Sequence, residues 1–237
     1  MAQLKASLVV ILSIFILSTP VFAKSANNKI KWVFIGDSYT VYGETTHTTV
    51  PDLVAEKFNL RKKEYKKFCK KGYGFKAIYN KQSAIFISLI EKEHPNTDVK
   101  NVVVIGGIGN DLRTETPINE LTEAMNAFFC RVKKLYPNAT IWYAMPNWAP
   151  ADSTEKGKEA IEWQNLIKSK ESLYLKNVAA NGVHILRRAR TALRFEDNRK
   201  CFYMDYRHPT LKGRKLIAEA IYKDISKSKI YRQQREG

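Results

Sequence analysis

A serine, an aspartate and a histidine in this chain have the types and placing that acyl-transfer chemistry needs. Ser38 follows the apolar run 32–35 across Gly36 and Asp37, so it stands just past the end of an expected buried strand. A hydroxyl there is inert until a base takes its proton. Asp205 and His208 lie three residues apart in Asp-Tyr-Arg-His-Pro. One turn can let Asp205 hold one ring nitrogen of His208 while the other faces Ser38, which fixes the tautomer and stabilises the imidazolium. A tetrahedral oxyanion needs donors as well. The backbone N–H groups of Ser38 and Gly72, with the side-chain amide of Asn110, are the candidates, and Gly74 competes with Gly72.

These residues must be carried by elements that converge. Residues 32–35 and 101–107 read as buried strands, each breaking into a loop of small and polar residues. Residues 62–71, ending at Gly72 and Gly74, read as a strand with one greasy and one cationic face; residues 139–145 and 183–186 give two more. Helices are expected over residues 51–58, 82–93, from Thr116 or its neighbours to 136, 154–180 and 210–226. Residues 108–111 and 194–199 read as loops, and the basic tail 227–237 as frayed. The alternation implies an α/β domain, a parallel sheet with helices on both faces. In such a sheet the first and third strands end at one crevice, which would gather Ser38, the Gly72 turn and Asn110.

Four blocks, GDSYT, a glycine turn, GGIGNDL and DYRHP, together resemble the SGNH (GDSL-type) hydrolase family, and do so over nearly the whole chain after residue 31. The resemblance implies a flavodoxin-like three-layer sandwich with a five-stranded parallel sheet. It also implies hydrolysis of esters, with Ser38 as nucleophile, His208 as base, Asp205 as its partner, and Gly72 and Asn110 as oxyanion donors. The segment GYGF resembles exported bacterial members, many of which act on acylated carbohydrates. One departure stands out: Ile108 and Gly109 both intervene between Gly107 and Asn110, where the family commonly has a single residue.

Composition bounds the rest. The chain has 237 residues, a formal net charge of +17 and 44% apolar residues, which suits one α/β domain and argues against disorder. Residues 1–23 carry one lysine, an apolar stretch and a Val-Phe-Ala site, the pattern of a cleavable export signal. The expected organisation is therefore a signal peptide, 1–23, and one domain, 24–237, in a secreted or extracytoplasmic protein. An odd count of three cysteines leaves at least one thiol unpaired, and with no CxxC pair no structural zinc is expected. No metal and no cofactor is expected, and residues 106–109 do not form a dinucleotide fingerprint.

The basic runs 61–71 and 187–190 point to an anionic neighbour: a cell-wall polymer, an acidic polysaccharide or a lipid surface. Nucleic acid is not expected, because no recognised binding module accompanies the charge. The leading expectation is an esterase acting on acetyl or other short acyl groups of a carbohydrate, a wall polymer or a small ester. An acyltransferase with the same covalent intermediate is the alternative, and a non-catalytic cationic binding protein is the reading from another class.

Overall fold

The computed structural model describes residues 29–79, 82–146, 153–195 and 198–236. The expected signal peptide and most of the loop after Met145 lie outside the described residues. The central sheet has five strands, all parallel, in the order β2-β1-β5-β6-β7. Its central strand is β5 (Asn101–Ile105); β1 (Trp32–Gly36) and then the edge strand β2 (Tyr65–Cys69) lie on one side of it, and β6 (Thr140–Ala144) and β7 (His184–Ile185) on the other. The first three strands end level, Gly36 pairing with both Cys69 and Ile105. The chain leaving each therefore emerges at the same edge of the sheet.

Side-chain alternation along the strands divides the core. Val33, Ile35, Val102 and Val104 pack with α5 (Ile118–Leu135) and the long α6 (Glu155–Ala180) on one face. Trp32, Phe34, Val103 and Ile105 pack with α2 (Val50–Lys57), α7 (Arg187–Thr191) and α8 (Leu211–Ser226) on the other. Burying each large apolar side chain contributes about 1.5–3 kcal/mol, so each layer is held by its sheet face. Threonines start three of these helices as N-caps: Thr49 accepts from Asp52 N–H, Thr154 from Gly157 and Thr210 from Gly213.

Several expected elements take another form. Residues 82–93 do not form one amphipathic helix. Gln82–Ser83 is a strand, β4, paired antiparallel with β3 (Ile78–Tyr79), and only Phe86–Leu89, α3, is helical. Tertiary bonding overrides the helical spacing: Ala84 N–H donates to Ala77, Phe86 N–H donates to the Gly74 carbonyl, and Phe86 is fully buried. Residues 108–111 are not loop but the start of α4 (Ile108–Arg113), entered through Gly106 and Gly107, both at positive φ. The helix after it begins at Ile118, with Pro117 at the cap position and no side-chain cap. The expected strand 62–71 is shorter, because residues 62–64 form a 3-10 turn closed by Glu64 on Arg61. Asn198–Cys201 is a 3-10 turn rather than loop. The tail is ordered as α9 (Lys229–Glu236): Ile230 and Tyr231 pack on the second core layer, and Gln234 reaches Thr140 at 2.8 Å. No described helix is long and apolar enough to cross a membrane.

Candidate active site

Ser38 opens a single helical turn, α1 (Ser38–Val41), directly after β1. Asp37 caps it, accepting from Tyr39 N–H at 2.9 Å. This short turn lifts the hydroxyl off the sheet edge, with the residue 9% exposed. His208 Nε2 lies 2.8 Å from Ser38 Oγ, across 170 residues of chain. His208 Nδ1 lies 2.5 Å from Asp205 Oδ2. The turn that sets Asp205 against His208 is built by Asp205 itself: its Oδ1 accepts the N–H groups of Arg207 and His208, both at 3.0 Å. Tyr206 supplies the positive φ that closes it, and Tyr203 N–H donates to the His208 carbonyl at 2.9 Å. Burial acts to raise the Asp205 carboxyl, but these N–H donors and the imidazole outweigh it and hold it below the usual range, so it stays ionised at neutral pH.

Residues with no earlier reading hold this arrangement. Arg214 is buried at the start of α8, donating to the Thr48 carbonyl at 2.8 Å, the Pro209 carbonyl at 3.1 Å and Tyr203 Oη at 3.2 Å. It ties the loop after Ser38 to the loop bearing His208. Nothing in the sequence separates it from the other basic residues. The Tyr42 ring stacks on His208, centroids 4.5 Å apart and planes 28° apart. Trp163 and Ile167 of α6 face the same cleft.

The oxyanion candidates meet beside Ser38. Ser38, Gly72, Asn110 and His208 line one cleft. Gly72 is at positive φ, and among the described residues its N–H has no acceptor. The Gly74 N–H, by contrast, donates to the Ala84 carbonyl at 3.0 Å. Gly74 has another duty: a Cβ there would collide with the Asp111 carboxylate. Asn110 Nδ2 donates to the Tyr73 carbonyl at 2.8 Å and reaches Asp37 Oδ2 only at 3.5 Å. In GGIGN, Ile108, Gly109 and Asn110 all lie in the first turn of α4.

Two buried carboxylates underlie these donors. Asp37 Oδ2 accepts Gly107 N–H at 2.8 Å, tying the β1 edge to the β5 edge. Asp111 accepts from Phe75 N–H at 3.2 Å, Lys76 N–H at 2.8 Å and Tyr174 Oη at 3.0 Å. It thereby ties the loop bearing Gly72 to the helix bearing Asn110. Burial raises each carboxyl to about 6, against the N–H donors that favour the ion.

The other histidines stand apart. His47 sits at positive φ on an exposed turn, His94 is exposed, and His184 packs against Trp142 at 5.2 Å. Among the described residues no cluster suits a metal ion, and Cys69 and Cys130 are free thiols. Burial pushes the Cys69 thiol up to about 12.

Charge is spent differently from its appearance in the sequence. Lys66 pairs with Glu93, Lys67 with Asp52 and Arg61 with Glu64, so acids partly balance the first basic run. In the second, Arg188 pairs with Asp224 and Arg190 with Glu171.

The parallel five-stranded α/β sandwich is a fold shared with solved structures described as G-D-S-L family and SGNH hydrolase proteins. Solved structures similar to this chain carry that fold. A G-D-S-L family protein from Desulfitobacterium hafniense matches with a TM-score of 0.58 at 19% identity, over 83% of this chain and 99% of the other. Phospholipase A1 from Streptomyces albidoflavus matches at 0.60 and 14% identity, over 84% of this chain and 100% of the other. A family two carbohydrate esterase from Clostridium thermocellum, in complex with cellohexaose, matches at 0.57 and 18% identity, over 83% of this chain and 63% of the other. No protein-family model and no curated protein sequence matches the chain.

Proposed function

We propose that the protein is a serine esterase that removes acetyl or other short acyl groups from a carbohydrate, a wall polymer or a small ester outside the cytoplasm. The observation that carries the reading is the continuous chain Ser38 Oγ, His208, Asp205, with contacts of 2.8 and 2.5 Å, opening on a cleft also lined by Gly72 and Asn110. In this reading Ser38 Oγ attacks the ester carbonyl as its proton passes to His208 Nε2. Asp205 stabilises the imidazolium and does not itself take the proton. The tetrahedral oxyanion is met by the N–H groups of Ser38 and Gly72 and by Asn110, whose long contact to Asp37 is the one a substrate oxygen would replace. His208 returns the proton to the leaving alcohol, and the acyl-serine is hydrolysed by the same steps with water as nucleophile.

The carbohydrate part of the proposal draws support from the Clostridium thermocellum carbohydrate esterase, solved in complex with cellohexaose, which shares this fold over 63% of its chain. The extracytoplasmic part rests on the export pattern of residues 1–23. The test is hydrolysis of p-nitrophenyl acetate by the full chain beside Ser38→Ala. Loss of at least about 10³-fold in kcat/KM is expected, since triad removal costs on this scale. Equal rates, or a fluorophosphonate label on another serine, would refute it.

A further inference from the structure

The cleft at Ser38 has two lobes of different chemistry. The first, about 210 Å³, is walled by Ile108, Met145, Ala160, Trp163 and Ile167, and among the described residues its charges balance, with Arg113 and Arg207 against Asp37 and Asp205. The second, about 480 Å³, shares Ser38, Asn110, Arg113 and His208 with the first and adds Lys70, Lys71 and Gly72. Among the described residues no carboxylate lines this second lobe.

The lysines there are the uncommitted end of the first basic run. Arg61, Lys66 and Lys67 are in ion pairs. Lys62 and Lys63 are exposed before β2, at the opposite end of that strand from Ser38. Lys70 and Lys71 follow its carboxyl end, and among the described residues neither has a carboxylate within ion-pair distance. Each is placed by an aromatic ring instead: Lys70 Nζ is 5.1 Å from the Tyr73 centroid, and Lys71 Nζ is 4.6 Å from that of Tyr42. Tyr42 is the ring stacked on His208, so the Lys71 ammonium stands one ring away from the base. Cation–π contact positions these charges without neutralising them.

From this division we infer that the substrate is an ester whose alcohol part carries an anionic group, phosphate or carboxylate, held at Lys70 and Lys71, while its uncharged acyl group enters the lobe of Trp163 and Ile167. The inference rests on the esterase reading above and names the substrate class of that site. The opposite seating would press a hydrated alcohol against Trp163, Met145 and Ile167, and leave an apolar acyl group among cations.

The test compares kcat/KM of the full chain at low salt on three acetates with matched rings: neutral 3-acetoxybenzamide, 3-acetoxybenzoate and 3-acetoxyphenyl phosphate. Monophenyl succinate against phenyl butyrate places the anion on the acyl side. Two exposed charge contacts are expected to favour an anionic alcohol by about tenfold over the amide. That ratio should fall toward one in Lys70→Gln/Lys71→Gln and as salt is raised, and persist in Lys62→Gln/Lys63→Gln, which removes equal charge at the far end of β2. The better of benzoate and phenyl phosphate identifies the anion, and either one favoured supports the inference. A ratio near one, an equal fall in the Lys62/Lys63 variant, or a preference for monophenyl succinate over phenyl butyrate would overturn it while leaving the esterase intact. Absence of Ser38-dependent turnover of any of the esters would remove the esterase reading, and this inference with it.

Discussion

Removing the Asp111 carboxylate should damage both the fold and the site. The side chain is 0% exposed and accepts three hydrogen bonds, from Phe75 N–H, Lys76 N–H and Tyr174 Oη. Asp111→Ala strands these three donors in a water-poor interior. Each orphaned donor costs about 1–3 kcal/mol, and partial relaxation keeps the sum below a simple total, so a loss of about 3–5 kcal/mol is expected. Relief of the buried charge offsets part of this, because burial has already lifted the carboxyl to about 6. The same three bonds set the Gly72 loop against the helix of Asn110, so kcat should fall more than KM rises. Urea unfolding gives the first quantity and ester kinetics under folded conditions the second. Asp111→Asn keeps one accepting oxygen and should fall between wild type and alanine in both. A loss under about 1 kcal/mol with unchanged kcat would refute the view that Asp111 registers the two donors.

Asp37→Asn tests the neighbouring carboxyl through pH. Burial raises the folded pKa from 3.8 to about 6, so the native state binds the proton more tightly and stability from this group falls as pH rises between those values. The stability of Asp37→Asn relative to wild type should therefore improve from pH 4 to pH 7, by up to about 3 kcal/mol. Urea unfolding at four pH values measures this, and a flat difference would count against it. Gly74→Ala drives a Cβ into the Asp111 carboxylate and should lower stability by about 1–3 kcal/mol, read as a fall in Tm, with a wild-type Tm counting against the close approach. Arg214→Met removes the donors joining Thr48 to Pro209 and Tyr203; a cost of about 2–4 kcal/mol and a reduced kcat are expected. Unchanged kinetics in that variant would show that the histidine loop holds itself.

The groups that could do chemistry, and the strands that carry them, were legible because both are local. Apolar runs bounded by glycine mark β1 and β5, and Asp205 and His208 need only one turn to meet. What depends on partners far along the chain was not legible. The spacing of residues 82–93 suits a helix, yet backbone bonds to Gly74 and Ala77 divide it into strand and a single turn. The tail is ordered by contacts of Ile230 and Tyr231 with a core assembled from other segments. That the Gly74 N–H is occupied depends on one carbonyl, that of Ala84. The charge runs looked alike until Glu93, Asp52, Asp224 and Glu171 had neutralised part of them and left Lys70 and Lys71 beside Ser38. Backbone preference and side-chain period act over a few residues and are written along the chain. The partner of a buried polar group or a charge is chosen by packing, here across as many as 170 residues, and exists only once the sheet has closed.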